Sequence, residues 1–189
     1  MRFETPFVIG IAGGSASGKT TFAKLLSETF GATACLILHM DSYYKPQAQL
    51  PRAKAPVTGI EYADYNHPSS LHLAQLAQDF DQAIADARHK IIIIEGIFAL
   101  QNESIYSKLD LKIFIDCRAD ERMIRRLKRN MGFGLEFDQT SDEYLDLVRY
   151  RHDEYVEPSK WRADLILNGS NFSKKAVDLI VNYIKNRNP

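Results

Sequence analysis

Continuous apolar runs, separated by longer segments of mixed polarity, form the main pattern along the chain. Five such runs, rich in Ile, Leu and Val, lie at residues 7–12, 34–40, 91–95, 111–117 and 163–168. Their apolar residues are consecutive rather than alternating, which is typical of strands that are covered on both faces. The pattern therefore predicts five buried strands of a parallel sheet.

Helical periodicity occupies the segments between these runs. The apolar stripes, with residues three or four positions apart, are Leu73, Leu76, Ala77, Phe80, Ile84 and Ala87; Met123, Ile124 and Leu127; Tyr144, Leu147, Val148 and Tyr155; and Ala176, Val177, Ile180, Tyr183 and Ile184. Each stripe, including Met123, Ile124 and Leu127, is expected to face the core. Alternating strands and helices predict an α/β fold, with a five-stranded parallel sheet and helices on both faces, in one domain over residues 1–189.

Two segments interrupt this alternation. Residues 42–69 contain four prolines and scattered aromatic residues, and we expect a substrate-binding insertion without regular structure. Residues 119–140 begin as a basic helix and end in "NMGFGLEFDQT", whose two glycines indicate a mobile tip. We expect residues 119–140 to form a small lid.

A glycine-rich stretch, "GGSASGKTT", joins the first strand to the first predicted helix. Gly13 followed after four residues by Gly18, Lys19 and Thr20 is the spacing of a phosphate-binding loop. Small side chains let the backbone N–H groups approach a phosphate chain, while the lysine reaches the β- and γ-phosphates and the threonine hydroxyl binds Mg²⁺. The predicted nucleotide-binding residues are Gly13, Gly14, Ser15, Ala16, Ser17, Gly18, Lys19, Thr20 and Thr21.

Two carboxylates follow strand ends, where ligands bind in open parallel sheets. Asp41 comes after the second apolar run and Glu95 ends the third. One carboxylate can act as the base on an attacking hydroxyl while the other holds Mg²⁺. The basic stretch 118–129 allows two interpretations: a solvated helix face, or a lid whose guanidinium groups neutralise phosphoryl charge.

Composition narrows the classes of function. Lys plus Arg and Asp plus Glu are both 24, so the zero net charge argues against nucleic-acid and membrane-surface partners. The longest apolar runs are too short to span a bilayer. Cys35 and Cys117 lie inside apolar runs, which predicts buried free thiols and favours a cytoplasmic location.

Taken together, the motifs resemble the uridine kinase group of the phosphoribulokinase/uridine kinase family. "GGSASGKTTFA" is similar to its phosphate loop, "DSYY" (41–44) to its catalytic-aspartate motif, "EGIFAL" (95–100) to its acidic strand end and "DCRADERMIRRLKRN" (116–130) to its lid helix. The resemblance implies a P-loop kinase fold that uses ATP and Mg²⁺. It also implies Asp41 as the base, Tyr44 near the substrate, Glu95 at the metal, and Arg126 and Arg129 as phosphate contacts.

Three departures concern the acceptor. The "ERGR"-like lid segment of uridine kinases reads "MGFG" (131–134) here, and their "NFDHP"-like motif reads "DYNHP" (64–68), with Asn66 at the aspartate position. The hairpin with which uridine kinases recognise the pyrimidine base is absent before "IIIIEG" (91–96). In this shortness the chain also resembles nicotinamide riboside kinases.

The prediction is a kinase that transfers the γ-phosphoryl of ATP to a hydroxyl of a nucleoside or riboside. Pantothenate or sugar-phosphate kinases of the same family remain alternatives, as does a nucleotide-binding regulator without kinase activity. If residues 64–66 are extended, Asp64 and Asn66 share a face and suit two vicinal hydroxyls. The predicted acceptor site is Asp41, Tyr44, Asp64, Asn66 and His67, and the predicted metal site is Thr20, Asp41 and Glu95. His67 is equally compatible with a packed turn, and the identity of the acceptor, a preference for ATP over GTP and homo-oligomerisation stay open.

Overall fold

A parallel sheet of five strands forms the centre of the computed structural model, which describes residues 5–187. Its strands are β1 (Phe7–Gly13), β2 (Cys35–His39), β5 (Ile91–Glu95), β6 (Leu111–Asp116) and β7 (Leu165–Asn168). They lie in the order β2-β5-β1-β6-β7, so β1 is the middle strand and all of its residues are buried. All five strands predicted from the sequence are present, but β7 lies at the edge of the sheet and is mostly exposed, so the prediction that all five are buried is wrong for this strand.

Helices cover both faces of the sheet. Within residues 5–187 the α-helical segments are α1 (Lys19–Phe30), α2 (Leu73–Asp86), α3 (Glu103–Tyr106), α4 (Ala119–Gly132), α5 (Phe137–Glu143), α6 (Arg149–Arg151) and α7 (Lys174–Arg187). Alternate residues of β1 point to opposite faces, so Val8 packs with Phe80 of α2 while Ile9 packs with Phe22 of α1. The predicted α/β architecture is confirmed, and both cysteines are buried free thiols.

The prediction that residues 42–69 lack regular structure is wrong. This insertion contains 3₁₀ turns and a small antiparallel hairpin of β3 (Arg52–Lys54) and β4 (Glu61–Ala63). Thr58 Oγ1 and Tyr62 Oη both donate hydrogen bonds to Oδ2 of Asp146, at 2.8 and 2.9 Å. The hairpin is therefore fastened to a distant helix, a contact that local sequence does not encode.

That helix belongs to a continuous helical segment over residues 137–162, here called the helical arm. In the arm, α5 leads into a π-helical turn (Tyr144–Val148), then α6, a second π-helical turn (His152–Val156) and a 3₁₀ helix (Glu157–Arg162). Tyr144, Leu147 and Val148 are buried as predicted. The arm connects the lid region to β7 and lies against the insertion.

Helix α4 turns a different face to the protein than its apolar stripe predicts. Leu127 of the stripe is buried as predicted, but Ile124 is 52% exposed, whereas Arg122, Arg126 and Asn130 are buried. The helix packs against the phosphate loop rather than the hydrophobic core, so polar side chains occupy its inner face. The prediction that Ile124 faces the core is wrong for this reason. No helix among the described residues is both long and apolar enough to span a membrane.

Candidate active site

The phosphate loop adopts a conformation that requires glycine. Gly13 and Gly18 have positive φ angles of +144° and +105°, which residues with a side chain rarely adopt. A Cβ atom at Gly13 would also lie 2.4 Å from the carbonyl oxygen of Ile115. Helix α1 begins directly after Gly18 without a side-chain cap, so its first N–H groups remain available to an anion.

Lys19 lies inside the loop, with only 8% of its surface exposed. Its Nζ donates a hydrogen bond to the carbonyl oxygen of Gly14, at 3.0 Å. Burial lowers the pKa of Lys19, and the negative charges of Glu95 and Asp41 partly offset this effect. The ammonium group is thus held between the loop backbone and two carboxylates, at the point predicted for the transferred phosphoryl group.

Side-chain oxygen atoms that could bind a metal ion meet where strands β2 and β5 end. Thr20 Oγ1 donates to Oε1 of Glu95 at 2.9 Å, and His39 Nδ1 lies 2.7 Å from the same oxygen. Hydroxyl and carboxylate oxygens suit Mg²⁺, and Asp41 lines the same cavity, so the predicted metal ligands fit this ion. Across residues 5–187, His, Cys, Asp and Glu side chains alone form no cluster of three with metal-binding geometry. Phosphate oxygens would have to complete the coordination.

His39 is a site residue that the sequence prediction missed. It ends β2 and pairs in register with Glu95, which ends the neighbouring strand β5. The sequence contained a signal for it, because His39 is a polar residue at the end of an apolar strand, two positions before the predicted site carboxylate Asp41. Its contact with Glu95 fixes one carboxylate oxygen in place.

Asp41 lies in a 3₁₀ turn (Met40–Tyr43) directly after β2. More than a third of Asp41 is exposed to the cavity; partial desolvation by the surrounding protein raises its pKa, and the nearby charge of Lys19 counteracts part of that shift. Burial likewise raises the pKa of Tyr44, to which the adjacent Asp41 carboxylate contributes, so this phenol stays protonated. A carboxylate with a raised pKa beside a cation is suited to accept a proton.

A single cavity of about 1250 Å³ connects these groups. Its lining includes Ser15, Ala16, Gly18, Lys19, Thr20, Thr21, Asp41, Tyr44, Tyr65, Asn66, Glu95, Ile97, Arg125, Arg126, Arg129, Asn130, Phe133, Leu135, Glu143 and the loop 169–172. Most predicted site residues are thereby brought together. The lining does not include Gly13, Gly14, Ser17, Asp64 or His67.

Asp64 has a structural contact instead of the predicted one with an acceptor hydroxyl. It is completely buried, its Oδ1 accepts the backbone N–H of Asn66 at 2.9 Å, and its Oδ2 accepts Nε of Arg151 at 2.7 Å. The chain turns after Asp64, so the expectation of an extended segment with both side chains on one face is wrong. Asp64 anchors the turn, and Asn66 alone reaches the cavity.

Asn66 and His67, which follow Asp64, differ from each other in the contacts that their side chains make. The Nδ2 atom of Asn66 is buried and has no hydrogen-bond partner among the described residues, which leaves a donor available to a ligand. His67 Nδ1 accepts the backbone N–H of Ser69 at 3.1 Å, and its ring packs edge-on against Tyr155. Of the two interpretations of His67, the structure supports the packed turn.

Removing either partner of the Asp64–Arg151 pair should destabilise the protein. We expect Arg151→Met to lower the free energy of unfolding by about 1–3 kcal/mol, because the buried Asp64 carboxylate loses its partner. Asp64→Asn should cost less, because Arg151 keeps its ion pair with Glu154. The double variant should lose less than the sum of the two. Urea unfolding of the three variants measures this coupling.

The Arg52–Glu61 pair on the same hairpin provides the control. Its closest atoms are 3.6 Å apart and both side chains are more than half exposed, so Arg52→Met should cost almost nothing. Additive losses in the Asp64 and Arg151 variants would contradict the coupling.

Arginines of helix α4 surround the phosphate loop. Arg126 Nη1 and Arg129 Nη2 each lie 3.4 Å from Ser15 Oγ, and Arg126 Nη2 lies 3.8 Å from Oε1 of Glu143. Arg125, which the prediction did not single out, donates to the carbonyl oxygen of Gly169 at 2.9 Å. Arg125 lies four residues before Arg129, so helical spacing places the two side chains next to each other. This spacing would have identified Arg125 as a further site residue.

A glycine-rich loop with a buried lysine, two carboxylates and several arginines thus meet at the carboxyl ends of the parallel strands. This combination of fold and site is that of a P-loop kinase. Comparison with known proteins gives the family.

The family model described as "Phosphoribulokinase / Uridine kinase family" matches residues 8–82 and 60–175. A uridine kinase of Geobacillus sp. (strain WCH70) is 34% identical, across 96% of this chain and 95% of that protein. The chain belongs to the phosphoribulokinase/uridine kinase family. The resemblance noted in the sequence is therefore confirmed, and the protein is a phosphotransferase.

Solved structures agree on the fold. A structure described as a possible uridine kinase from Bacillus stearothermophilus has a TM-score of 0.52 at 21% identity, and covers 88% of this chain and 90% of its own. Shikimate kinase from Bacteroides thetaiotaomicron has a TM-score of 0.55 at 14% identity, with coverages of 95% and 96%. At these identities the similarity supports the P-loop kinase fold alone.

Proposed function

We propose that the protein transfers the γ-phosphoryl group of ATP to a hydroxyl of a nucleoside or riboside. The observation that carries the acceptor assignment is the unpartnered amide of Asn66, in one cavity with Asp41 and an aromatic pair. The rings of this pair, Tyr44 and Tyr65, lie edge-on with centroids 5.6 Å apart. The uridine kinases among its relatives support the same assignment.

The donor binds through the phosphate loop. Backbone N–H groups of residues 13–21 and the start of α1 contact the phosphates, and Lys19 reaches the β- and γ-phosphates. Thr20 and Glu95, with Asp41 nearby, would hold Mg²⁺, which when bound draws charge away from the phosphoryl oxygens. Arg126 and Arg129 supply further positive charge from helix α4, and residues 119–140 act as the lid.

The acceptor is activated by Asp41. Its carboxylate takes the proton of the acceptor hydroxyl as that oxygen forms a bond to the γ-phosphorus and the bond to the ADP oxygen breaks. Lys19 stabilises the charge that develops on the transferred group. Because Lys19 also attracts the Asp41 carboxylate, the base stays next to the phosphate that the hydroxyl attacks.

Recognition of the acceptor uses two kinds of contact. Asn66 Nδ2 donates to a hydroxyl oxygen of the sugar, and Asp64 keeps Asn66 in position through its backbone N–H. Tyr44 and Tyr65 contact a ring face, which discriminates poorly between bases because every base has one. A riboside whose base is only loosely selected fits this site.

An acceptor panel tests the proposal. We expect kcat/KM for uridine, cytidine and nicotinamide riboside to differ by less than about 3 kcal/mol in transition-state binding. The 2′-deoxy analogues should react about tenfold more slowly or worse, since the missing hydroxyl leaves the buried amide unpaired. Steady-state assays of the full chain with ATP and Mg²⁺ measure both.

Pantothenate and a pentose phosphate belong in the same panel. If one of these is the only acceptor phosphorylated, the riboside assignment is wrong while the kinase assignment stands. If none of the acceptors reacts and ATP still binds, the regulator without kinase activity becomes the better account.

A further inference from the structure

Apolar side chains are exposed at the tip of the lid. Residues 131–137 carry Met131, Phe133, Leu135 and Phe137, and between 43% and 78% of each side chain is exposed, with Phe133 the most. Phe133 and Leu135 line the cavity, whereas Met131 and Phe137 are absent from its lining. An apolar surface at the mouth of a polar cavity loses contact with water when a ligand covers it.

The backbone at the tip has room to move. Gly132 and Gly134 flank Phe133, and a Cβ atom at either glycine would meet no other atom within 4 Å. The backbone N–H groups of Phe133 and Leu135 both donate to the carbonyl oxygen of Asn130, so the tip stays attached to the end of α4. The two side chains can therefore shift while the base of the tip is held.

The tip belongs to the acceptor end of the cavity. The helix that follows it, α5, carries Glu143, which lies 3.8 Å from Arg126, and the helical arm is bonded to the insertion through Asp146. The loop after β7 lines the same cavity and places Phe172 against Phe22, with ring centroids 5.0 Å apart. We expect adenine beside this loop, because it adjoins the phosphate loop at Gly18.

On the proposed function, an acceptor hydroxyl at Asp41 directs the rest of the molecule past Tyr44 and Tyr65. This aromatic pair forms one wall of the acceptor end. Phe133 and Leu135 form a second apolar wall on the lid, and neither offers a side-chain hydrogen bond to the edge of a base. Apolar walls that meet a ligand from two elements suit a flat ring bound by its faces.

We propose that Phe133 and Leu135 bind the ring of the acceptor, as the second wall of a ring-binding subsite whose first wall is Tyr44 and Tyr65. The acceptor therefore carries an aromatic or heteroaromatic ring in addition to its hydroxyl. This inference rests on the proposed function, and it makes the lid tip select acceptors that carry such a ring without discriminating between bases.

Variants of the lid tip test the subsite. Phe133→Ala should lower kcat/KM for uridine about tenfold, mainly through KM, as loss of a ring-stacking contact does. Leu135→Ala should act in the same direction, and KM for ATP should not change. Phe137→Ala is the matched control, because Phe137 is an exposed aromatic residue of the same segment outside the cavity lining, and it should behave like the parent.

Two further acceptors distinguish the contribution of the aromatic ring from that of the sugar. D-ribose has no base, and pyridoxine is a heteroaromatic alcohol without ribose. If ribosides react and Phe133→Ala behaves like Phe137→Ala, the subsite is wrong and the riboside function stands. If pyridoxine reacts in place of ribosides and Phe133→Ala weakens it, the subsite stands and the riboside function falls. The subsite is wrong if only acceptors without an aromatic ring are phosphorylated, or if Phe133→Ala raises the KM for ATP.

Discussion

Replacing Asp41 by asparagine should lower kcat by about 10²–10⁴-fold, the range for loss of a general base. Asparagine keeps the shape and hydrogen-bonding reach of the side chain but cannot accept the proton of the acceptor hydroxyl. Because the phosphate loop is untouched, KM for ATP should change little. Initial rates with uridine, at saturating ATP and Mg²⁺, measure the effect.

The pH profile gives the same assignment a second readout. Partial desolvation raises the pKa of Asp41, so its carboxylate becomes protonated at a higher pH than a fully hydrated aspartate does. Since the base works only when ionised, kcat of the parent should fall on acidification, beginning above the usual pKa range of an aspartate. The Asp41→Asn variant should lack this acid limb.

Glu95→Gln distinguishes the base from the metal ligand. This substitution removes the negative charge of the Glu95 carboxylate beside Thr20, so it should raise the Mg²⁺ concentration needed for half-maximal activity. Asp41→Asn should leave that requirement nearly unchanged. Asp79→Asn serves as the control, because Asp79 accepts a hydrogen bond from Tyr43 in the neighbouring turn and does not line the cavity. If only Asp41→Asn changed the Mg²⁺ requirement, the two roles would have to be exchanged.

Lys19→Ala should reduce kcat/KM by about 10²–10³-fold, as removal of one charged group that stabilises the transition state does. The side chain is enclosed by the loop and faces Asp41 and Glu95, so its charge acts where solvent screening is weak. Steady-state kinetics with the acceptor identified by the panel measure the loss, and circular dichroism checks the fold.

Lys24→Ala is the matched control for this prediction. Lys24 lies on the same helix at the rim of the cavity, and it is exposed, so solvent and salt screen its charge. It should retain most of the activity. Turnover by Lys19→Ala equal to that of the parent would exclude the assigned role of the phosphate loop.

The sheet could be predicted because its central strands β1 and β5 are buried on both faces. In a run such as Ile91–Ile94 every residue is apolar, and every residue is indeed buried. The phosphate loop could be predicted because its chemistry depends on residues that are adjacent in sequence. Asp41 and Glu95 required one more step, namely that neighbouring parallel strands end at the same edge of the sheet.

What escaped prediction depends on partners far away in the sequence. The apolar stripe of α4 was expected to face the core, but the helix lies on the phosphate loop, which favours buried arginines. Asp64 pairs with a residue 87 positions further along the chain, and no local pattern signals that contact. Among the described residues, the side-chain amide of Asn66 remains without a partner, because Asp64 already pairs with Arg151.

The two π-helical turns of the helical arm bear on how tolerant this protein is to changes in chain length. Successive residues of an α-helix are rotated by about 100° around the axis, and a π-helical turn accommodates an additional residue. Deleting one residue within Tyr144–Val148 would remove that additional residue and restore regular α-helical winding, with the downstream residues facing nearly as before. Deleting one residue within the regular helix α5 would instead rotate everything downstream by about 100°. Arg151 would then point away from Asp64. The arm therefore acts as a rotational spacer, and a change in the length of its α-helical parts would uncouple the insertion from the site.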